Sequence, residues 1–381
     1  MKIAYLIYFD VGRESGVLNK IRSQIQCWTA LGHQVTLFVL SPSLQIWTGL
    51  DGVETNIIHG STRWSRNRNM RKLGKEVINW QPDIIYWRFG TFVTSLLDLF
   101  HQIPTVTEIN TYDLGEKRKA LPLHKYLYHR LTRGRLLASM VGLVCVTNEL
   151  AEQYATFNKD TIVLGNSVNL AEYKPLGPNQ GERPGLVFLG STLSQAWHGV
   201  NKIILMATHL PQFDFTIIGS NYPVDLPAQD ELPANLRVVS YMDQKAYQRL
   251  FAESDIGIAT LALHRKSMNE ACALKVRSYL ASGLPVILAS IDTDFLDPEE
   301  FILQLPNTED NVLPYIDDIR QFVHNWHHRR IDRRKIQRID VAEKEKQRLE
   351  FLSEFVNGSR SGGSKQNKDR NQELKFDDTH I

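Results

Sequence analysis

The sequence contains few cysteines: Cys27, Cys145 and Cys272 are the three among its 381 residues. Thiols so few and so scattered indicate neither a disulfide framework nor a zinc site, and they are typical of proteins of the reducing cytoplasm. No histidine stands at a spacing that would activate Cys272 as a nucleophile. We therefore interpret Cys272 as a small hydrophobic side chain of the core.

Long apolar runs, glycine fingerprints and metal-ligand patterns are also lacking. The first residues, MKIAYLIYF, are too few to cross a bilayer and show no signal-peptide cleavage pattern, so we expect a buried first strand. Gly12 and Gly16 do not form the Gly-x-Gly-x-x-Gly motif. In HNWHHRR, His327 and His328 are adjacent and cannot share one helix face, so we expect no metal site.

The chain has no large excess of either charge, because its formal net charge is +2. Residues 1–170 nevertheless carry 19 Lys and Arg against 13 Asp and Glu, whereas the remainder carries 25 against 29. This asymmetry indicates different partners for the two halves. Two basic stretches lie in the first half, at residues 61–75 and 116–137. A solvated face and attachment to an anionic membrane surface both fit them.

Continuous apolar runs alternate with helical periodicity along the chain, which is typical of parallel sheets covered on both faces. The predicted strands of the first half are residues 2–9, 34–40, 84–87, 104–109, 142–147 and 161–164, with a helix over 17–31. After a Gly- and Pro-rich segment, further strands are predicted at 186–189, 213–218, 236–240, 256–260 and 285–289, with helices over 200–210 and 244–253.

This pattern predicts an α/β protein of two doubly wound domains in series. The expected divisions are a first domain at 1–170, a linker at 171–185, a second domain at 186–339, a helix at 340–356 and a disordered tail at 357–381. Ligands of such sheets bind beyond the carboxyl ends of the strands. Two facing halves would therefore form a deep cleft.

Two stretches of the second half predict a phosphate site. FLGSTLSQAWHGV places Gly190 at a strand end and His198 at the start of a helix, where free amides and the helix dipole favour an anion. A later loop contains His264, Arg265 and Lys266, followed by a helix beginning near Glu270. Cations and amides converging there suit a diphosphate better than a core.

The order of elements resembles the GT-B glycosyltransferases, and the second half resembles family 4 of the retaining group. The resemblance covers roughly residues 1–356 and rests on TALGHQVTLF, IVLGNSVNLAEYKP, WHGVNKI, LFAESDIGIATLAL and, most specifically, LKVRSYLASGLPVI. It implies the GT-B fold, in which two Rossmann-like domains face each other across a cleft, here with a C-terminal helix.

The resemblance also implies roles for residues of the second half. Glu270 corresponds to the carboxylate that contacts the donor sugar, and Ser278 stands where the family has a second Glu for the ribose hydroxyls. Ser191 and His198 stand where a phosphate-binding Arg and Lys are usual, so Arg265, Lys266 or Lys275 would supply the charge. The remaining donor-binding residues that the resemblance implies are Gly16, Gly190, Ala271, Cys272 and Leu274.

The first half offers a second candidate catalytic residue. TEINTYD follows a strand, so Glu108, Asn110 and Asp113 are expected at the cleft. Relatives have a sugar-contacting side chain near here, and Asn110 is the corresponding candidate. A turn or capping cluster fits these residues equally well.

These observations predict a cytoplasmic glycosyltransferase of the hexosyltransferase type. It would move a sugar from a nucleotide-sugar donor to a glycan or lipid-linked acceptor in cell-surface polysaccharide or glycolipid synthesis. Retention of configuration is implied by the resemblance, no metal or cofactor is expected, and the basic stretches allow peripheral contact with the inner membrane face. No nucleic-acid partner is expected. A nucleotide-sugar epimerase and a non-catalytic scaffold of a polysaccharide-assembly complex remain alternatives, the latter because Ser278 replaces a Glu.

Overall fold

The structure is a computed structural model that describes residues 1–60, 62 and 65–362. Over these residues the chain forms two Rossmann-like domains, each a parallel sheet with helices on both faces, as predicted. The predicted tail begins inside a helix that continues to Gly362, so its first six residues are helical. Residues 363–381 of that tail lie outside the described residues.

The first domain contains, among the described residues, a seven-stranded sheet whose pairs are all parallel. Its strands are β1 (Lys2–Tyr8), β2 (Gln34–Leu40), β3 (Thr55–Ile58), β4 (Ile84–Arg88), β5 (Thr105–Ile109), β6 (Gly142–Cys145) and β7 (Asp160–Val163). They lie in the order β3-β2-β1-β4-β5-β6-β7. The helices are α1 (Gly16–Ala30), α2 (Arg66–Trp80), α3 (Thr94–Phe100), α4 (Asp113–Ala120), α5 (Leu123–Ala138) and α6 (Asn148–Tyr154).

The second domain repeats this arrangement with six parallel strands in the part of the chain described. They are β8 (Gly185–Thr192), β9 (Asp214–Ser220), β10 (Leu236–Val239), β11 (Ile256–Ile258), β12 (Val286–Leu288) and β13 (Ile302–Gln304), in the order β10-β9-β8-β11-β12-β13. Its helices are α7 (Val200–His209), α8 (Gln244–Ala252), α9 (Leu274–Ala281) and α10 (Ile316–Trp326).

The last helix, α11 (Val341–Gly362), returns to the first domain. Its residues Leu349, Leu352 and Val356 share a face, and they join the core cluster that contains residues of the buried strand β1. Burying an aliphatic side chain of this kind contributes roughly 1.5 to 3 kcal/mol. The helix therefore links the end of the second domain to the core of the first.

Local sequence explains how the elements that reach the cleft begin. The side chain of Ser15 caps α1, since its hydroxyl accepts a hydrogen bond from the Leu18 amide at 3.2 Å. Helix α9 begins at Leu274, later than predicted, because Glu270 and Ile291 form a parallel β-bridge just before it. The extended segment before α9 is therefore held in place by this bridge, and the first turn of α9 faces the first domain.

Candidate active site

The cleft lies where the carboxyl ends of the two sheets face each other, and the starts of two helices meet in it. A Cβ added to Gly16, the first residue of α1, would lie 3.5 Å from Cδ1 of Leu274, the first residue of α9. A methyl group at position 16 would thus be in ordinary van der Waals contact with α9, which shows how closely the two helix starts approach each other. Both helix starts carry partial positive charge and unpaired amides, so an anion is favoured between them.

Ser278 faces the same junction from the next turn of α9. Its hydroxyl lies 3.2 Å from that of Tyr173, and both residues line a cavity of about 40 Å³ together with Gly16 and Leu274. The residue that stands in place of the family's second Glu is therefore in the cleft. Ligand pockets usually enclose about 300 Å³ or more, so a nucleotide sugar requires the domains to separate here.

Two buried polar groups beside the start of α9 have no hydrogen-bond partner among the described residues. One is the ammonium nitrogen of Lys275, which lies 3.8 Å from the ring centroid of Phe188, and the other is Nδ1 of His198. Desolvation lowers the pKa of Lys275 to about 7. Desolvation, and then the charges of Lys275 and Lys266, lower the pKa of His198 well below its usual value. An anion entering here would favour their charged forms.

The other predicted cations do not converge as expected. Arg265 forms an ion pair with Glu309 and donates to the Ala196 carbonyl at 2.9 Å and to Asn201 at 3.0 Å, so its guanidinium is already occupied within the second domain. His264 also pairs with Glu309, at 2.8 Å. In this arrangement His264 and Arg265 are thus turned to an acidic residue about 45 positions later, which binds both of them.

The side chain of Lys266 extends across the cleft to the first domain. Its ammonium donates to the Thr111 hydroxyl at 2.9 Å, lies 3.9 Å from the Glu116 carboxylate and sits 4.9 Å from the ring centroid of Trp197. Burial lowers its pKa. Lys266 thus holds the two domains together in this arrangement, with its charge at the cleft.

Glu270 also lies between the domains and forms a reciprocal contact with Glu149. Its carboxylate accepts a hydrogen bond from the Glu149 amide at 3.1 Å, and the Glu149 carboxylate accepts from the amides of Asn269 and Glu270, both at 2.8 Å. Glu149 is at the start of α6, where a carboxylate acceptor is favourable. Glu270 is therefore in the cleft but engaged by the first domain, so opening the cleft would release it.

The acidic residues predicted at the cleft in the first domain are buried instead. Glu108 is fully buried and accepts from Lys20 at 2.6 Å and from Arg88 at 3.2 Å, with Arg348 of α11 at 3.6 Å. These cations outweigh its desolvation and hold its pKa well below the usual range. Desolvation lowers the pKa of Lys20 to about 8. The attraction of Glu108 does not offset this effect, because the positive charges of Arg88 and Arg348 also lower the pKa of Lys20.

Asn110 and Asp113 belong to the same kind of internal network. The Asn110 amide donates to Glu108 at 2.9 Å, which gives this side chain a structural partner. Asp113 is buried and accepts from His129, from Arg133 at 2.8 Å and from Tyr154 at 2.5 Å. Despite its own desolvation, these donors hold the pKa of Asp113 at about 2. The turn or capping interpretation therefore describes this segment better than a set of cleft acids.

Cys272 is a core residue, as predicted, and burial raises its pKa to about 12. Its sulfur and the carboxylates of Asp292 and Asp294 lie within 4.8 Å of one another, a grouping that could suit a metal ion. The guanidinium of Arg277 already fills this position, donating to Asp292 at 2.7 and 2.8 Å and to Asp294 at 2.7 Å. Sequence reasoning missed this role of Arg277, although its place among apolar residues indicated a buried charge.

The structure assigns packing roles to two further predicted donor-binding residues. Gly190 lies in β8, where an added Cβ would come within 2.9 Å of the Phe188 ring, so a side chain there would displace Phe188. The amide of Ala271 donates to the Ile291 carbonyl at 2.9 Å. That amide is therefore committed to the β-bridge, and the free amides begin later, at the start of α9.

A larger cavity lies elsewhere. It has a volume of about 1010 Å³ and is lined by residues at the amino ends of β8, β9 and β10, including Gly185, Asp214 and Leu236. Ligands of open parallel sheets bind at the opposite, carboxyl edge. We therefore place the candidate site at the smaller interdomain junction.

Part of the sequence and the overall fold match known proteins. Residues 15–172 match the family model described as Glycosyltransferase Family 4. Most of the first domain is thus similar to family 4 glycosyltransferases. On the two-domain fold described above, the predicted GT-B architecture and the glycosyltransferase class are confirmed.

Three solved structures share the fold of this glycosyltransferase. HepE from Anabaena, in complex with UDP and glucose, is 15% identical with a TM-score of 0.62, over 93% of this chain and 100% of that chain. WaaG, a glycosyltransferase involved in lipopolysaccharide biosynthesis, is 12% identical with a TM-score of 0.59, over 95% and 100%. UDP-GlcNAc 2-epimerase from Neisseria meningitidis, bound to UDP-GlcNAc, is 13% identical with a TM-score of 0.56, over 93% and 100%. No curated protein sequence matches the chain.

A membrane-spanning helix is not found among the described residues, since none of their helices is both long enough and apolar enough to cross a bilayer.

Proposed function

We propose that this glycosyltransferase transfers a sugar from a nucleotide-sugar donor, with UDP as its carrier, to a glycan or lipid-linked acceptor. The observation that carries the proposal is the pair of buried, unpartnered groups of Lys275 and His198 beside the start of α9. Burying a polar group without a partner is costly, so such a pair indicates a missing anion. The diphosphate of the donor is an anion of suitable size and charge.

The chemistry follows from where negative charge develops. As the bond between sugar and diphosphate breaks, charge accumulates on the leaving phosphate, and groups aimed at it stabilise the transition state. The Lys275 ammonium and the amides at the start of α9 would supply that stabilisation without a metal ion. Glu270, released from Glu149 when the cleft opens, would contact the donor sugar, and Ser278 with Tyr173 would face the ribose. We propose retention of configuration from the family resemblance.

The choice of UDP draws on the complexes that share the fold, because HepE was solved with UDP and glucose and WaaG acts in lipopolysaccharide biosynthesis. We accordingly propose a role in cell-surface polysaccharide or glycolipid synthesis, on the cytoplasmic side of the membrane. The epimerase alternative requires acid and base groups in the cleft. Glu108 and Asp113, the acids that the sequence predicts at the cleft, are buried in ion pairs, which argues against their use as acid or base.

Peripheral membrane contact through α5 is part of the proposal. Leu123, Leu127 and Leu131 recur every four residues on its surface and are 71%, 43% and 78% exposed. Arg130 on the same helix is exposed and basic, as suits an anionic bilayer surface. Replacing Leu127 and Leu131 by Glu should abolish co-sedimentation with phosphatidylglycerol vesicles. Leu44, which is 80% exposed on another surface, provides the matched control when replaced by Glu.

The transferase is tested with a panel of UDP-sugars and GDP-sugars. The measurement is the release of free nucleoside diphosphate. Hydrolysis or transfer with one donor supports the proposal, release of an epimer supports the epimerase, and binding of no nucleotide supports the scaffold. The variant Glu270→Gln should retain its fold and lose turnover. Glu253→Gln, on an exposed salt bridge with Arg237, is the control and should keep full activity.

A further inference from the structure

A second pocket lies in the first domain, away from the donor site, and its charge is one-sided. It encloses about 520 Å³ and brings together Arg66 at the start of α2 with Lys117, His124 and Lys125 of α4 and α5. We call it the basic pocket. The described residues that line it include no Asp or Glu. The two basic stretches of the sequence, which are far apart in the chain, thus meet around one cavity.

The basic groups of this pocket lack acidic partners. Among the described residues, no carboxylate forms an ion pair with Arg66, Lys117 or Lys125. The nearest acid, Asp113, lies behind His129 and is already satisfied by His129, Arg133 and Tyr154. The Lys117 ammonium lies 3.4 and 3.5 Å from the two ring nitrogens of His129. Its pKa is lowered by burial and by the positive charges of Arg133 and Arg66, although Asp113 and Glu116 oppose this.

The pocket opens at the carboxyl edge of the first sheet, where ligands of parallel sheets bind. Tyr8 at the end of β1 and Thr91 just after β4 line it, and both lie at the carboxyl edge of the first sheet. Glu116, next to Lys117 in the chain, lies 3.9 Å from Lys266 of the second domain across the cleft. The same Tyr8 and Thr91 also line a smaller, aromatic pocket of about 130 Å³ with Trp87 and Phe89. A bound acceptor could therefore extend from the basic pocket to the cleft.

We propose that the basic pocket binds an anionic group, a phosphate or a carboxylate, on the acceptor. This inference rests on the proposed transferase function and specifies the chemical class of its acceptor. A phosphate would accept charge-assisted hydrogen bonds from Arg66, Lys117 and Lys125, which are stronger than those between neutral groups. The adjacent aromatic side chains would pack against the sugar face of the same molecule.

The test is a calorimetric titration of the full chain with α-D-glucose 1-phosphate and with glucose, carried out in saturating UDP so that the donor site is filled. The phosphorylated sugar should bind, and glucose should bind at least about tenfold more weakly. The double variant Arg66→Gln/Lys117→Gln should weaken glucose 1-phosphate by about tenfold or more and leave UDP affinity unchanged. The control Arg68→Gln/Arg71→Gln removes two exposed charges of α2 outside the pocket and should change neither affinity. If the first double variant fails to fold, Arg66→Gln alone replaces it.

The outcomes separate this inference from the proposed function. Equal affinities of the two double variants for glucose 1-phosphate would overturn the proposed role of the basic pocket, and so would equal affinities of the protein for glucose and glucose 1-phosphate. In either case, UDP binding would still support the transferase. Loss of co-sedimentation with phosphatidylglycerol vesicles, with glucose 1-phosphate affinity unchanged, would assign these residues to a lipid surface and also overturn it. Absence of UDP binding would instead contradict the donor site.

Discussion

Replacing Lys275 by Met should stabilise the protein without nucleotide and weaken its binding of UDP. Met has a similar length and an apolar end, so it removes the buried ammonium group and keeps the contact with Phe188. The native structure gives this ammonium no hydrogen-bond partner within the described part of the chain. Functional sites often contain groups that lower the stability of the ligand-free protein and contribute to ligand binding.

The magnitude follows from the pKa of Lys275, which burial lowers to about 7 from an ordinary value of about 10.4. A difference of that size corresponds to roughly 5 kcal/mol, an upper value because local relaxation reduces it. The native state binds fewer protons than the unfolded state between the two values, so wild-type stability rises with pH across that interval. The advantage of Lys275→Met should be fully present below pH 7 and disappear as the pH approaches about 10.

The matched control is Lys202, another buried lysine of the second domain. Its ammonium donates to the Thr308 carbonyl at 2.7 Å and to Asn311 at 2.9 Å, and burial lowers its pKa to about 8. Lys202→Met leaves these acceptors unpaired and should destabilise by about 1 to 3 kcal/mol. Urea unfolding from pH 6 to pH 10 measures both variants. Destabilisation by Lys275→Met across this range would show that the lysine has a structural partner and refute the reasoning.

Two further predictions concern buried groups away from the donor. Glu108→Gln should destabilise by roughly 3 to 5 kcal/mol at pH 7, because Lys20 would stay buried without its carboxylate and Arg348 would keep only Glu345. Its depressed pKa makes that stabilisation complete above about pH 5 and lost on acidification, so the difference in urea midpoint should shrink toward pH 3; a constant difference would argue against the ion pairs. The native protein should react with a thiol reagent at half-buried Cys27 before Cys145 and Cys272, whose pKa values burial raises to about 12. Peptide mapping after brief labelling checks this, and early modification of Cys272 would contradict its core position.

The sheets were largely predictable from the sequence because their central strands are buried on both faces. The predicted strand at residues 34–40 coincides with β2, and 2–9 exceeds β1 by one residue. The missed strands β3 and β13 lie at the sheet edges and are short and partly exposed, so they lack a continuous apolar run. Periodicity therefore identifies the interior of a parallel sheet better than its edges.

The hydrogen-bond and ion-pair partners of the site residues could not be predicted from sequence patterns. Glu108 looks like a cleft acid because it comes at a strand end, yet its partner Arg348 lies 240 positions later on a helix that crosses back. Arg265 looks free until Glu309 approaches from another loop. Ion pairs between residues far apart in the chain depend on how the strands and helices pack, and a motif of thirty residues contains no record of that packing.

The most direct test of the donor site is the pKa of Lys275 measured with and without UDP. Lysines labelled with ¹³C at Cε can be followed by NMR as the pH is varied, with Lys275→Met identifying the signal. The account predicts a pKa of about 7 in the free protein and a rise of at least about two units with UDP, because a nearby phosphate favours the charged amine. A pKa that UDP binding leaves unchanged would contradict the claim that Lys275 awaits the donor diphosphate.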